Sequence, residues 1–177
     1  MTLFALTGTP GTGKTSISAE LRSRGYNVID GKEHIKSHGL LGELDAERDT
    51  HEVDLDDLND SLDEYRQSKE LYILDSHLSH FMDCSGIIVL RCHPEVLAER
   101  LRARGYSEQK VCENVQSEVL DVILCEATDS DIPVWEVDCS RDGIAVSADS
   151  IEEILIGESD DYLPGKTDWS QEMDKWF

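Results

Sequence analysis

Residues 8–15 read Gly8-Thr9-Pro10-Gly11-Thr12-Gly13-Lys14-Thr15 and come after the apolar run Leu3-Phe4-Ala5-Leu6. They fit the pattern G-x-x-x-x-G-K-[ST], in which glycines let backbone N–H groups turn inward around phosphate oxygens. Residues 16–24 then predict a helix, whose N-terminal dipole adds to the anion-binding field. A strand before the loop and a helix after it are the setting that a phosphate-binding loop requires. The sequence therefore predicts that this chain binds a nucleoside triphosphate.

Two side chains of the loop carry specific chemistry. Lys14 is placed to reach the β- and γ-phosphates, and the Thr15 hydroxyl is a ligand for Mg²⁺. A glycine-rich turn that matches by chance is the competing interpretation, and the flanking strand and helix disfavour it. We therefore expect Mg²⁺ to accompany the triphosphate.

Strands and helices alternate along most of the chain. Apolar runs predict strands at residues 2–7, 26–29, 71–75, 86–90 and 134–137. Apolar spacing and a proline at a first turn predict helices at residues 54–68, from residue 94, at about 108–128 and at 147–155. This alternation predicts an α/β fold, with a parallel sheet covered by helices on both faces.

The length of 177 residues predicts one compact domain, which we place at residues 1–157. Residues 30–53 are polar, weakly periodic and too long for a simple connector, so we expect a small helical insertion there. Residues 158–177 form an acidic tail that contains Trp169, Trp176 and Phe177. We expect these aromatic side chains to dock on the body of the domain rather than to bind a partner.

The chain shows no signal peptide and no apolar run of transmembrane length, so we expect a cytoplasmic protein that does not contact a membrane. The five cysteines form neither a C-x-x-C pair nor a zinc-binding spacing. Free, buried thiols are the expectation for them.

The net charge is strongly negative, at −22 from 38 acidic and 16 basic residues. An acidic disordered chain is disfavoured because 39% of the residues are hydrophobic and lie in distinct strands. A surface for one basic partner would explain a patch, but the acids are spread along the whole length. We favour adaptation of the entire surface to high intracellular salt, where self-repulsion is screened.

The strand predicted at 71–75 ends in Asp75, and His77 follows two residues later. A carboxylate at such a strand end commonly organises Mg²⁺ in phosphate-loop enzymes, although it can also simply cap the next turn. His77 titrates near neutrality and could orient water or substrate, or could be an ordinary loop histidine. We assign no role to His80.

Basic residues are concentrated between positions 91 and 110, which matters because few cations are available to bind an anionic ligand. Arg100 and Arg102 are expected to be solvated on a helix face. Arg104 precedes Gly105, so a mobile segment could bring its guanidinium over a transferring phosphate. We therefore predict a short lid at residues 103–113 that excludes water when it closes.

These motifs together resemble the atypical adenylate kinases, the archaeal-type group of isoenzyme six. The resemblance covers residues 2–157. It is carried by the phosphate loop, by D-S-H at 75–77 and by R-L-R-A-R-G-Y-S-E-Q-K-V-C-E-N-V-Q-S-E at 100–118. It also includes Glu126-Ala127-Thr128 in the following helix.

The resemblance implies a three-layer P-loop nucleoside monophosphate (NMP) kinase fold with a central parallel sheet, a short lid at 103–113 and an NMP-binding insertion at 30–53. It implies that the ATP phosphates are held by Gly11, Gly13, Lys14, Thr15 and Ser16. By the same resemblance Asp75 and His77 act on Mg²⁺ and on the attacking water or phosphate. Arg104 becomes the lid arginine.

Two assignments are less direct. The resemblance implies that Arg141, after the last strand, lies against the adenine or its ribose. The insertion has diverged from the family pattern, and its phosphate-binding cation is either Lys32 or Lys36.

Two compatible functions follow from the resemblance. One is a broad-specificity NMP kinase that converts ATP and AMP to two ADP and has some ATPase activity. The other is an ATP-driven factor that transiently binds a basic small-subunit ribosomal protein and the pre-ribosomal small subunit, and promotes 3′-end processing of the rRNA. An acidic body suits a basic protein and avoids naked nucleic acid, so we expect no sequence-specific DNA binding.

Two other readings fit less well. A GTPase would need an N-K-x-D or T-K-x-D motif, and Lys166-Thr167-Asp168 lies in the wrong setting for one. A kinase of another small metabolite shares the phosphate loop and is disfavoured only by the lid and D-x-H patterns.

The salt hypothesis predicts that the folded state needs screening of its own charge. We expect the midpoint of thermal unfolding, followed by circular dichroism, to rise steeply from dilute buffer to molar KCl because Debye screening removes repulsion among surface carboxylates. A protein that is equally folded in both media would contradict this hypothesis.

Overall fold

The computed structural model describes residues 2–45, 50–157 and 159–177. The strands are β1 (Leu3–Gly8), β2 (Asn27–Asp30), β3 (Leu41–Asp45), β4 (Thr50–Val53), β5 (Tyr72–Asp75), β6 (Gly86–Arg91) and β7 (Val134–Asp138). The helices are α1 (Lys14–Ser23), α2 (Gly31–Ser37), α3 (Leu55–Asp60), α4 (Asp63–Gln67), α5 (Pro94–Ala103), α6 (Glu108–Val119), α7 (Val122–Thr128), α8 (Ile144–Leu155) and α9 (Met173–Trp176).

A parallel five-stranded sheet in the order β2-β5-β1-β6-β7 forms the centre of the molecule, as the sequence predicted. All six residues of β6 are buried, which is why this strand reads as an almost continuous apolar run. Strand β1 is also central, with β5 on one side and β6 on the other. The phosphate loop therefore leaves the sheet from its middle, at the carboxyl edge where α/β proteins bind ligands.

Alternate residues of each strand enter opposite hydrophobic layers, because successive side chains point to opposite faces of a sheet. Leu3 and Ala5 pack with residues of α3 and α7, whereas Leu6 packs with residues of α1 and α8. The two layers make the sheet the middle of a three-layer α/β structure. None of the helices in the described part of the chain has the length and apolar character needed to cross a membrane.

The insertion at 30–53 is not purely helical, contrary to our expectation. Helix α2 occupies its first part, where the Asp30 carboxylate accepts hydrogen bonds from the backbone N–H groups of Lys32 and Glu33. Gly39 then adopts a positive φ of 68°, which ends the helix. Strands β3 and β4 follow as an antiparallel pair, and the residues between them, 46–49, lie outside the described residues.

The long helix predicted at 108–128 is divided in two, and the predicted helix at 54–68 likewise consists of α3 and α4. Asp121 interrupts the helix predicted at 108–128, between α6 and α7. It has a φ of 55°, a left-handed conformation that aspartate tolerates better than most residues. Its carboxylate binds the guanidinium of Arg91. A tertiary ion pair, which helical spacing could not reveal, accompanies this break.

The C-terminal segment docks on the body through its two tryptophans, as expected, whereas Phe177 is 66% exposed, contrary to our expectation. Trp169 and Trp176 pack against a third apolar cluster formed by α5 and α6. The Gln116 amide donates a 2.7 Å hydrogen bond to the backbone carbonyl of Trp176. Earlier in this segment, the backbone N–H groups of Lys166 (2.7 Å) and Thr167 (2.9 Å) donate hydrogen bonds to the Glu136 carboxylate.

All five cysteines are free thiols. Cys84, Cys92 and Cys139 are buried, as predicted, whereas Cys112 is half-buried and Cys125 is exposed.

Candidate active site

The phosphate loop joins β1 to α1 and depends on glycines for its shape. Gly11 and Gly13 have φ values of 99° and 121°, which side-chain-bearing residues rarely adopt. A Cβ atom at Gly11 would also lie 2.8 Å from Cδ1 of Leu97, inside the apolar contact between the loop and α5. Helix α1 begins at Lys14, two residues earlier than the sequence indicated, so the N–H groups of its first turn belong to the loop.

Lys14 lies at the centre of the loop and contacts the loop's own backbone. Its ammonium donates to the carbonyl of Gly8 and, at 3.1 Å, to that of Thr9. Burial lowers the pKa of Lys14 to about 8, against the attraction of Asp75 and Glu118. Arg104 lowers this pKa further because its charge is close. A phosphate group would give this ammonium the anionic partner that the backbone does not supply.

Two cavities adjoin the loop. The first, of about 360 Å³, lies between the loop, the end of α5 and the start of α8. The second, of about 150 Å³, lies between the loop, the carboxyl ends of β2 and β5, and the turn after α5. Gly11, Gly13 and Arg104 line both of them.

The structure brings most of the predicted site residues to these cavities. The residues that line the second cavity are Pro10, Gly11, Gly13, Lys14, Thr15, Asp30, Lys32, Asp75, Ser76, His77, Arg104 and Tyr106. Ser16 lines the first cavity instead, at the start of α1.

Asp75 ends β5, where it is in register with Leu6 of β1 and Asp30 of β2. Burial raises the pKa of Asp75, and nearby Ser18 and Lys14 act in the opposite direction. The Ser18 hydroxyl is buried close enough to Asp75 to favour the charged form of that carboxylate.

The residues present fit Mg²⁺. Asp75 and the exposed Thr15 line one cavity and offer hard oxygen ligands. Two such ligands are enough, because Mg²⁺ typically takes one or two protein oxygens and completes its shell with phosphates and water.

His77 lies at the mouth of the second cavity, on the turn that follows Asp75. Partial burial, with the positive charges of Lys14 and Lys32, lowers the pKa of His77. Its imidazole is therefore neutral near pH 7 and can accept a proton or orient a water molecule.

Arg104 is the C-cap residue that follows α5, and Gly105 comes next with a φ of 79°. The Arg104 side chain is exposed and is in reach of both cavities. The turn is held by backbone bonds from Gly105 N to Arg102 O and from Tyr106 N to Leu101 O. Helix α6 starts directly afterwards with Ser107 as its N-cap. The predicted lid at 103–113 thus comprises the last residue of α5, a tight turn at 104–107 and the first half of α6.

Arg100 does not behave as the solvated residue that we expected. Its guanidinium donates to the carbonyl of Thr12 (3.1 Å) and to that of Cys139 (2.8 Å), so it joins the phosphate loop to the end of β7. Arg100 also lines the first cavity. Arg102, by contrast, pairs with Glu108 at the surface (2.8 Å), as expected.

His80, to which we assigned no role, is buried between two polar partners. Its Nδ1 lies 3.1 Å from Oγ1 of Thr7, and its Nε2 lies 3.1 Å from Oε2 of Glu126. Sequence reasoning also missed Arg91 and Glu118, which form a buried ion pair behind the loop. The one available signal was a basic residue directly after the apolar run of β6.

Three predicted contacts remain predictions. Lys32 lines the second cavity, whereas Lys36 is exposed on α2 and does not line either of the two cavities. Arg141 is exposed in the loop between β7 and α8, and its neighbour Asp142, not Arg141 itself, lines the first cavity.

Comparison with known proteins identifies a family. Residues 5–121 match the model of the AAA domain. The chain is 41% identical over 169 residues to a protein of Methanocaldococcus jannaschii named "Putative adenylate kinase", a match that covers 95% of this chain and 93% of that protein. A protein of Methanosarcina barkeri with the same name is 42% identical over 177 residues, with coverages of 94% and 97%.

Solved structures support the fold alone, because the identities are low. Shikimate kinase from Bacteroides thetaiotaomicron has a TM-score of 0.59 at 18% identity, covering 87% of this chain and 98% of that one. Deoxyadenosine kinase from M. mycoides has a TM-score of 0.56 at 16% identity, with the same coverages.

The lowered pKa of Lys14 predicts a pH-dependent affinity for Mg·ATP. Bound phosphate keeps the ammonium charged, while in the free protein it loses its proton above a pH of about 8. The dissociation constant, measured by calorimetry in molar KCl, should therefore rise roughly tenfold per pH unit above that value. Lys14→Arg should bind without this transition, since arginine stays protonated. A wild-type affinity that is flat across this range would contradict the assignment.

Proposed function

The chain belongs to the atypical archaeal adenylate kinase family, and we propose that it transfers the γ-phosphoryl group of ATP to AMP, giving two ADP. The observation that carries this proposal is the pair of cavities that meet at the phosphate loop and share Arg104. One cavity offers space for a nucleoside beside the loop, and the other offers Lys32 and His77 for the phosphate of an acceptor.

Transfer needs the two phosphates to approach in line while negative charge is distributed over the equatorial oxygens. An oxygen of the AMP phosphate attacks the γ-phosphorus, and the bond from that phosphorus to the β–γ bridging oxygen breaks. Lys14 moves from the carbonyls of Gly8 and Thr9 onto the β- and γ-oxygens. Arg104 stabilises the group in transit from between the cavities.

Asp75 and Thr15 would hold Mg²⁺, which when bound neutralises charge on the β- and γ-phosphates. His77, neutral near pH 7, orients the acceptor phosphate through a hydrogen bond. When no acceptor occupies the second cavity, the same imidazole can orient a water molecule, which would yield ADP and phosphate. We therefore include an intrinsic ATPase activity in the proposal.

The kinase activity is tested by ADP formation in a coupled assay in molar KCl, with AMP and then with each other nucleoside monophosphate. Wild-type protein should show AMP-dependent turnover, and Lys14→Met should abolish it. Arg104→Ala should lower kcat by about a hundredfold or more, because a positioned arginine contributes strongly to phosphoryl transfer.

Arg102→Ala is the matched control, because Arg102 lies on the same helix end but pairs with Glu108 outside the cavities. It should retain kcat within about twofold. Absence of any monophosphate-dependent turnover in the wild type would refute the kinase proposal. Equal losses in the two arginine variants would refute the role of Arg104.

A second proposed function, in small-subunit maturation, is favoured by the charge of the chain. A net charge of −22 complements a basic ribosomal protein and disfavours direct contact with rRNA. The protein would then bind such a partner transiently, with ATP turnover setting the lifetime of the complex.

Purified small-subunit ribosomal proteins provide the test of this second function. One of them should bind in a nucleotide-dependent manner and raise phosphate release several-fold, an effect that Lys14→Met should remove. An unrelated folded protein of equal net charge is the control for non-specific attraction. Binding that this control reproduces, or that ignores nucleotide, would contradict the proposal.

A further inference from the structure

A buried carboxylate lies directly behind the phosphate loop. Glu118, near the end of α6, is only 3% exposed. Its Oε2 accepts a 2.5 Å hydrogen bond from the hydroxyl of Thr9, a residue of the loop. Its Oε1 accepts from Nε of Arg91 (2.9 Å) and from the backbone N–H of Cys92 (3.0 Å). A charge is buried only at a substantial desolvation cost, and here both oxygens are fully engaged.

Thr9 connects this carboxylate to the reacting side of the loop. The Thr9 hydroxyl faces Glu118, and the Thr9 carbonyl faces Lys14. That carbonyl accepts hydrogen bonds from the backbone N–H (3.2 Å) and hydroxyl (2.9 Å) of Thr12 and from Nζ of Lys14 (3.1 Å). Thr9 is only 2% exposed, so water does not compete for these bonds. The position of the Lys14 ammonium is therefore tied to the orientation of the Thr9 peptide.

Arg91 prevents Glu118 from moving. Besides Glu118, its guanidinium binds Glu136 of β7 at 2.9 Å and the carboxylate of Asp121. Glu136 in turn accepts the two backbone hydrogen bonds from residues 166 and 167 of the C-terminal segment. A continuous set of polar contacts thus runs from the C-terminal segment through the middle of β7, the end of β6 and α6 to the phosphate loop.

We propose that Glu118 is a positioning residue for phosphoryl transfer, which acts through the Thr9 hydroxyl to hold the phosphate loop in the geometry that presents Lys14 to the triphosphate. This proposal rests on the proposed function for its kinetic consequence. Its effect on Mg·ATP binding does not depend on which acceptor receives the phosphoryl group.

The position of Glu118 in the chain gives the proposal a further consequence. Helix α6 begins immediately after the turn that contains Arg104, and it carries Glu118 about three turns later. The turn that carries Arg104 is thus joined directly to the helix that supports the phosphate loop from behind.

Thr9→Val is the sharpest test, because it removes only the hydroxyl and leaves the ion pair between Arg91 and Glu118 in place. We expect the dissociation constant of Mg·ATP to rise and kcat to fall, each by about tenfold, the size of effect expected for one hydrogen bond to a charged group. Thr9→Ser keeps the hydroxyl and should restore both quantities to within about twofold of wild type. Thr128→Val is the matched control, since that exposed hydroxyl donates only to carbonyls of its own helix.

A purely structural role is separated by comparing stability with binding. The unfolding midpoint of Thr9→Val should fall, because an oxygen of the buried Glu118 carboxylate loses its hydrogen bond, and Thr9→Ser should restore the midpoint together with affinity and kcat. A Thr9→Val protein with a lowered midpoint, but with wild-type affinity and kcat, would overturn the proposal.

Glu118→Gln is a second variant, in which Arg91 loses one of its carboxylate partners. Its affinity for Mg·ATP is measured only if the variant is folded. It should reproduce the Thr9→Val shift in Mg·ATP affinity, and wild-type affinity in a folded Glu118→Gln protein would also overturn the proposal. If the wild type binds Mg·ATP but transfers no phosphoryl group to any monophosphate, the kinase proposal fails, and the binding measurements still decide the role of Glu118.

Discussion

The site depends on concentrating positive charge in a molecule that has very little of it. Acidic residues outnumber basic ones by 38 to 16, yet a triphosphate must bind. The fold solves this by ending its central strand in a loop of inward N–H groups and by placing Lys14, Lys32 and Arg104 around one cavity. Burial lowers the pKa values of Lys14 and His77, and repulsion from neighbouring cations lowers them further. An anion relieves that repulsion, so ligand binding and charge neutralisation are the same event.

The sequence was sufficient for the parts of the fold that local patterns determine. The order of strands and helices, the parallel sheet and the phosphate loop all follow from apolar runs and one glycine-rich motif. Lys14, Asp75 and His77 meet at one cavity, because each lies at or just beyond the carboxyl end of a parallel strand. The sequence fails where a tertiary contact overrides local preference, as at Asp121, whose pairing with Arg91 accompanies a break in an otherwise helical pattern.

Long-range polar contacts are the other features that could not be predicted from the sequence, and Arg100 illustrates the reason. On a helix with a regular apolar face, an arginine on the far side reads as solvated. Only the folded chain shows that the carbonyls of Thr12 and Cys139, 88 and 39 residues away, come within reach of its guanidinium. Arg91 and Glu118 escaped notice for the same reason, since 27 residues separate the two partners. A buried charged residue can be predicted from a sequence only when its partner is known.

The buried network also changes how the C-terminal segment is understood. The sequence predicts that the aromatic side chains of the acidic tail dock on the body, but not that the backbone N–H groups of the tail complete the hydrogen bonding of Glu136. Glu136 carries a negative charge in a buried strand, which is stable only when its oxygens are fully paired. One oxygen is satisfied by Arg91 and the other by the segment. The segment is therefore part of the structure that keeps Arg91, and through it the back of the phosphate loop, in place.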